Sequence, residues 1–145
     1  MKKWMLLIMI LSTMLLSGCS LFEKANSSID YLNQATEHIN TLSTFAEQAP
    51  QMIKDAAQNP ATKQELENRL NVLKTEIEQF NLSSVPSIAK DIHQQLVEEN
   101  KILLEEINKV LVNGHLALDT LQNSQIFTTI SDITGLINRI KNLGV

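Results

Sequence analysis

The chain has 145 residues, a formal net charge of −4 at pH 7, 43% hydrophobic residues and a single cysteine. This acidic balance excludes the clustered basic surface that a nucleic-acid partner requires, and one cysteine excludes a disulfide within the chain. The length suits one domain that can bury a core.

Residues 1–18 have the parts of an export signal. Lys2 and Lys3 are followed by an uncharged, mainly apolar run, WMLLIMILSTMLL, from Trp4 to Leu16. This run is shorter than the roughly twenty residues that cross a bilayer. A signal peptide is therefore favoured over a permanent transmembrane anchor.

The cysteine lies where this signal ends. The sequence LSGC, Leu16 to Cys19, places small residues before the thiol and looks like the lipobox of bacterial lipoproteins. In that motif the thiol is acylated and the chain is then cut between Gly18 and Cys19. We therefore predict a lipid on Cys19 and a membrane contact through it, with an uncleaved or ordinary secretory signal as the alternative. An acylated sulfur is not available as a catalytic thiol.

Cleavage would leave residues 19–145. Removing Lys2 and Lys3 leaves ten basic residues against sixteen acidic ones, so the formal charge falls to about −6. Contact with an anionic membrane would then depend on the lipid, and a diacylated cysteine is sufficient for stable anchoring. We expect residues 19–28 to be a short tether and residues 29–145 to be a single domain.

The first predicted helix carries an apolar stripe with spacings of three and four. Its members are Leu32, Ala35, Ile39, Leu42, Ala46, Ala49, Ile53 and Ala56. Pro50 lies within the stripe and removes a backbone donor. The helix is predicted to run to about Ala49, with Pro50 either breaking it or kinking it before a short segment to Gln58.

Two further helices follow. Asn59 and Pro60 predict a cap and a first turn, and the apolar stripe of the second helix is Leu66, Leu70, Leu73, Ile77 and Phe80. The third helix is predicted over residues 86–112, with Ile88, Ile92, Leu96, Leu103, Ile107 and Val110 facing inward. Asn100 interrupts that stripe as either a buried polar group or a slightly exposed residue, and exposure is favoured. Asn113-Gly114 should end this helix, and no β-hairpin is expected.

The last helix is predicted to follow a cap at Asn123-Ser124. Its stripe consists of Ile126, Ile130, Ile133, Ile137 and Ile140, widened by Phe127, Leu136 and Leu143. The β-branched residues also suit a strand, but the sustained spacing favours a helix. Gly135 is expected to mark a close helix crossing. Together the segments predict an all-α, antiparallel bundle of about four longer amphipathic helices.

Candidate chemical groups are sparse. His38, His93 and His115 lack the spacing of a metal site, and no motif of a nucleophile, phosphate loop or cofactor site is present. The pairs Glu98-Glu99 and Glu105-Glu106 share a helix face, which we interpret as solvated because Lys101 and Lys109 stand in ion-pairing positions. We therefore predict no enzyme activity, no cofactor and no metal.

The lipobox, the segment LFEKANSSIDYLNQATEHIN, the segment EIEQFNLSSVPSIAKDIHQQL and the isoleucine-rich end together resemble an uncharacterised family of short lipoproteins of Bacillus-type Gram-positive bacteria. The resemblance covers most of the chain, although only the lipobox is chemically specific. It implies a location on the outer face of the cytoplasmic membrane and brings no established activity.

Two hypotheses for function follow. The first is a membrane-tethered, non-enzymatic module that binds another cell-envelope protein, for which an exposed apolar patch is expected along the face from Ile126 to Leu143. The alternative is a module that binds a small ligand or lipid in a cavity between helices. An apolar cavity lined by Phe45, Phe80 and Phe127 would support it. The sequence predicts neither the partner nor the oligomeric state.

Overall fold

The computed structural model describes residues 19–144, with side chains for residues 26–143. The predicted signal peptide and Gly18 lie outside the described residues. In chain order the elements are α1 (Cys19–Ala56), α2 (Pro60–Asn81), a 3₁₀ turn (Ser87–Ala89), α3 (Lys90–Val110), β1 (Leu111–Val112), β2 (His115–Leu116), α4 (Leu118–Gln122), α5 (Ile126–Gly135), α6 (Ile137–Lys141) and a final 3₁₀ turn (Asn142–Gly144).

Helix α1 is one continuous helix. Pro50 lies inside it and is exposed, so its ring faces solvent, and the helix continues to Ala56 because Ala49 and Ile53 are buried on either side of it. The lost backbone donor therefore does not end the helix. Residues 19–28, expected to be a tether, are helical and form the first turns of α1.

Helix α2 begins as the sequence predicts. The side chain of Asn59 accepts hydrogen bonds from the backbone N–H groups of Ala61 and Thr62, and Pro60 occupies the first turn. This cap satisfies donors that the helix itself leaves unpaired. All five residues of the predicted stripe are buried: Leu66, Leu70, Leu73, Ile77 and Phe80.

Helix α3 is shorter than predicted at both ends. It starts at Lys90 after a 3₁₀ turn, and Ile88, placed on the inner face by the pattern, is 57% exposed. At the other end Leu111 and Val112 leave the helix and pair with Leu116 and His115 in an antiparallel ladder.

The expectation that no β-hairpin forms is wrong. Asn113 and Gly114 both have positive φ, 53° and 81°, as a two-residue type I′ hairpin turn requires. The prediction that this Asn-Gly pair ends α3 is wrong, because α3 ends at Val110 and the pair forms the turn between β1 and β2. The left-handed conformation predicted for Gly114 is confirmed.

The C-terminal segment forms two helices in place of one. α5 ends at Gly135 and α6 starts at Ile137, but both keep the predicted stripe inward, since Ile126, Ile130, Ile133 and Ile140 are buried. The expectation of a close crossing at Gly135 is wrong, because a Cβ added there would meet nothing within 4 Å.

The long helices run alternately up and down. The cap at Asn59 joins α1 to an antiparallel α2, and the backbone N–H of Gln125 at the start of α5 donates to Glu106 near the end of α3. Arg139 in α6 donates to Gln95 near the start of α3, so the C-terminal helices are antiparallel to α3. The all-α bundle is confirmed, with the short β1–β2 hairpin as its addition.

Candidate functional site

The candidate site is an open groove of about 710 Å³ on the surface between α1 and α2. One wall is a row on α1 that repeats at helical spacing, so the same face of the helix is presented along the groove. The lining residues are Asn33, Thr36, Glu37, Asn40, Thr41, Thr44, Phe45, Glu65, Asn68, Arg69, Val72, Leu73 and Glu76. We refer to this surface as the α1–α2 groove.

The floor of the groove is apolar. Phe45 and Leu73 are buried and belong to the core, so the groove lies directly above packed side chains. Val72 is 56% exposed and stands outside the apolar stripe of α2. An apolar residue alone on a polar helix face was the signal in the sequence that could have identified this surface.

The rim of the groove is acidic. Glu37, Glu65 and Glu76 lie along it, and the one basic side chain, Arg69, is already engaged. Its guanidinium lies 2.8 Å from a carboxylate oxygen of Glu65 and also donates to Gln48. The groove therefore presents an apolar floor between unpaired negative charge on Glu37 and Glu76 and uncharged Asn and Thr side chains.

A second feature is a buried polar cluster where α1, α2 and α3 meet. His38 Nε2 lies 3.1 Å from Asn100 Oδ1, and Asn100 donates from Nδ2 to Asn81 Oδ1 at 2.8 Å. Because an amide oxygen can only accept, His38 donates in the first of these bonds. The Tyr31 hydroxyl lies 3.2 Å from His93 Nδ1.

Asn100 is fully buried, so the expectation that it is slightly exposed is wrong. Its amide has partners on both α1 and α2, which removes the cost of burying an unpaired polar group. Asn100 therefore favours one register of three helices, which is the role that buried asparagines have in coiled coils.

Aromatic packing surrounds this cluster. The ring of His38 stacks on Phe80 with centroids 4.1 Å apart and planes 3° apart, and Phe80 also contacts Tyr31 and His93. Phe45 lies parallel to Phe127 at 6.4 Å. The three phenylalanines expected to line one cavity thus pack in two separate groups, and the cavity predicted for a ligand is not formed by them.

Burial changes the acidity of the cluster. It lowers the pKa of His38 from 6.5 to about 4, with the hydrogen bond to Asn100 acting in the opposite direction. It also lowers the pKa of His93 and raises the pKa of Tyr31 from 10.0 to about 12. At neutral pH the cluster is therefore uncharged, which suits a structural role in the interior.

The remaining predicted polar residues have structural roles. Glu67, buried on α2, accepts from the backbone N–H of Leu116 at 2.7 Å, and this bond is the largest cause of its lowered pKa. His115 Nδ1 lies 3.6 Å from the same carboxylate, so His115 lies in the hairpin beside α2. Within residues 26–143, no group of three or more His, Cys, Asp or Glu side chains is arranged to hold a metal ion.

The acidic pairs on α3 are not equivalent. Glu106 forms a 2.6 Å salt bridge with Lys109, as the spacing predicts, and Lys109 is the largest cause of the lowered pKa of Glu106. The Glu106 carboxylate also accepts a hydrogen bond from the backbone N–H of Gln125 and so holds the start of α5. Glu98 accepts from Gln94 on the same helix, as expected of a solvated face.

The structure also locates the C-terminal apolar face, predicted to bind a partner, and Cys19, predicted to carry the lipid. The face from Ile126 to Leu143 is covered, with Phe127, Leu136, Ile137 and Leu143 packed against the core, so the apolar patch expected there is absent from the described chain. Cys19 is the first residue of α1, which puts the predicted lipid at the helix start, and its acylation stays a prediction. None of the helices among the described residues has the length and apolar character of a membrane span.

Comparisons with known proteins agree with the predicted class. The chain is 28% identical over 130 residues to the uncharacterized lipoprotein YybP of Bacillus subtilis (strain 168), with 88% of each protein covered. No solved structure matches the chain. The similarity to a Bacillus lipoprotein supports a membrane-anchored lipoprotein and confirms the resemblance given above. A family model described as "Family of unknown function (DUF6376)" matches residues 31–143, and the chain therefore belongs to this family.

Proposed function

We propose that the protein is a non-enzymatic module, acylated on Cys19 and held on the outer face of the cytoplasmic membrane. It binds a helical segment of another envelope protein in the α1–α2 groove. The groove matches a segment whose apolar stripe is flanked by Lys or Arg. This is helix-in-groove recognition, in which apolar residues on one helix face dock between two helices.

The observation that carries this proposal is the combination of an apolar floor with an acidic rim. Val72 exposes apolar surface between Glu37 and Glu76, so a partner gains apolar burial and charge complementarity together. The open shape favours a macromolecular segment over a small ligand, because small-molecule sites enclose most of the ligand surface.

The lipid acts by localisation. Asn33 and Thr44, at the two ends of the α1 wall, lie on the same helix that begins at Cys19. At 1.5 Å per residue the groove stands about 20 to 40 Å along α1 from the anchor. A partner whose helix lies at that height above the membrane meets the groove at a raised effective concentration.

The test is site-specific photo-crosslinking in intact cells. A photoreactive amino acid replaces Val72 in the groove and, in a matched control, Ile102, which is 47% exposed and lies on α3 outside the groove. We expect a discrete crosslinked protein from position 72 only. The same product should weaken with Glu37→Lys and Glu76→Lys, which reverse the rim charge, and with Cys19→Ala.

Three outcomes contradict the proposal in different ways. Equal products from positions 72 and 102 would show that the groove is not selective. A product that persists unchanged after charge reversal would remove the complementarity argument. An unmodified Cys19, seen as the mass of the unacylated chain, would remove the anchoring itself, whereas a small molecule retained by the purified protein would favour the alternative of ligand binding.

A further inference from the structure

Three of the six exposed large apolar side chains of the described residues lie at one end of the bundle, and the other three, Val72, Ile102 and Val112, lie elsewhere. Leu82 is 86% exposed, Ile88 57% and Ile29 55%, while Val85 is half-buried. The chain from Gln79 to Ala89 carries no charged residue. We refer to Ile29, Leu82, Val85 and Ile88 as the anchor-proximal tip.

Packing places the segment from Leu82 to Ile88 at the level of the first described side chains of α1, where Ile29 lies. Leu82 directly follows α2, whose last turn contacts Tyr31 through Phe80. The 3₁₀ turn Ser87–Ala89 contacts α1, and Ala89 is buried in the same core as Tyr31. Isolated exposed apolar residues are ordinary on a protein surface, but here three of them share one end.

The register between α1 and α3 shows how close the tip is to Cys19. Tyr31 pairs with His93, and His38 pairs with Asn100, and both pairs are separated by 62 residues. The two helices therefore run parallel in constant register. Extended by five residues from His93 into the 3₁₀ turn, this register places Ile88 about level with residue 26, which is about 10 Å along the helix from Cys19.

No flexible linker separates the tip from the predicted lipid. Residues 19–28 are helical, and this stretch contains no glycine or proline. The tip is therefore held at a fixed, short distance from the bilayer surface, and an inclination of α1 brings it into the headgroup layer. Net negative charge gives the chain no electrostatic attraction to anionic lipid, so an uncharged apolar surface is the kind of contact that remains.

We propose that the anchor-proximal tip inserts into the headgroup region of the same membrane that holds the lipid on Cys19. This second contact rests on the acylation argued under the proposed function and adds an orientation to it. The lipid alone fixes one point of the protein at the membrane, whereas the lipid and the tip together fix the orientation of α1 relative to the membrane plane. The α1–α2 groove is then presented at a defined height and direction.

The chain offers a direct reporter for this contact. Its one tryptophan, Trp4, lies in residues 1–18, so the mature protein has none and each introduced tryptophan is unique. The variants are I88W and L82W at the tip and I102W as a matched exposed isoleucine on α3. Each is purified in acylated form, confirmed by mass, and reconstituted on phosphatidylcholine and phosphatidylglycerol vesicles that carry bromine on the acyl chains near the headgroup.

We expect blue-shifted emission and about a twofold loss of intensity for I88W and L82W, because bromine quenches only groups that enter the interface. The I102W emission should remain unchanged, and thermal unfolding of all three variants should match the wild type. Unquenched I88W and L82W in acylated, vesicle-bound protein would overturn the tip contact and leave the anchor intact. Equal quenching of I102W would show that the bundle lies flat, and failure to bind vesicles would overturn the anchor and the tip together.

Discussion

The bundle joins its helices in two chemically different ways. Where α1, α2 and α3 meet, the apolar stripes pack around a polar cluster of His38, Asn100, Asn81, His93 and Tyr31. The C-terminal helices α5 and α6 place Ile126, Ile130, Ile133 and Ile140 in the core, and all four are buried. The first region adds directional bonds between helices to its apolar packing, whereas the interior of the second region packs mainly through apolar side chains.

The two regions differ in what they contribute: apolar packing supplies most of the stability of this fold, and the polar cluster supplies its specificity of register. Apolar packing contributes most of the free energy but tolerates changes of similar volume. A buried amide with partners on two other helices contributes less energy and tolerates almost no change of register. The two regions should therefore respond differently to truncation, to pH and to removal of a single hydrogen bond.

The largest effect is expected in the apolar region. Ile130→Ala removes most of a side chain that is 1% exposed and leaves a cavity, which should lower the free energy of unfolding by about 3 to 4 kcal/mol. Ile130→Val, the conservative control that removes a single methylene, should cost about 1 kcal/mol. Urea unfolding followed by circular dichroism measures both, and equal losses would show that the C-terminal helices are loosely packed.

Mild acid, between pH 6.5 and 5, should act first on the polar region. His38 has a pKa of about 4 in the folded protein against 6.5 unfolded, so the unfolded chain binds more protons between these values. The free energy of unfolding should therefore fall as pH falls from about 6.5 to about 4, by about 3 kcal/mol for this residue. The lowered pKa of His93 acts in the same direction.

Denaturant midpoints measured at intervals across this pH range test the effect. The carboxylates of Glu67 and Glu106 also have lowered pKa values, but their stabilisation is lost only below their ordinary value of 4.5. The slope between pH 6.5 and 5 thus belongs to the histidines. It should persist in Ile130→Val and shrink in His38→Gln, and a flat profile in the wild type would contradict a buried neutral His38.

Removing the central amide should have a smaller cost at neutral pH. Asn100→Ala leaves the donor of His38 and the oxygen of Asn81 without their partner, which should cost about 2 kcal/mol. Asn100→Leu fills the space but restores neither bond. Because the same two groups stay unpaired, Asn100→Leu should cost a similar amount. If the amide also selects register, Asn100→Leu should in addition lose the sharp, dispersed amide spectrum of a single packed state, which an NMR spectrum measures directly.

The helical stripes could be predicted from sequence because burial imposes its period directly on the residues. Leu66, Leu70, Leu73, Ile77 and Phe80 are apolar at spacings of three and four, and all are buried. The cap at Asn59 was equally predictable, since its side chain accepts from the backbone N–H groups two and three residues further on. Such features depend on contacts that are local in the chain.

The errors arise where a distant residue decides the structure. Asn100 is buried because His38 and Asn81 lie opposite it, and nothing near Asn100 in sequence predicts this. Leu111 and Val112 leave α3 although the apolar pattern continues, because Glu67 accepts from the backbone of Leu116 and holds the hairpin against α2. The Asn-Gly pair is a signal both for a helix end and for a hairpin turn, and the contact between Glu67 and Leu116 favours the turn.

The candidate site was harder to predict than the fold. A groove between two helices depends on which polar faces become neighbours, and the exposed Val72 has meaning only beside Asn33, Glu37 and Thr44 of α1. An exposed apolar patch was expected along the face from Ile126 to Leu143, as a surface left over for a partner after the bundle has formed. In the structure it packs against both α1 and α3, and little of it is left for a partner.

The smallest predicted effect has the opposite sign and tests the C-terminal region in another way. Gly135 is helical, and a Cβ added there meets nothing within 4 Å. Gly135→Ala should therefore raise the free energy of unfolding by about 0.5 to 1 kcal/mol, because alanine loses less backbone entropy in a helix.

Thermal unfolding measures this shift, with Gly114→Ala as the matched control. Gly114 has a φ of +81°, so the same methyl group should destabilise the hairpin turn. A loss of stability in Gly135→Ala would mean that α5 crosses a neighbour closely after all. The apolar region would then tolerate substitution as poorly as the polar region does.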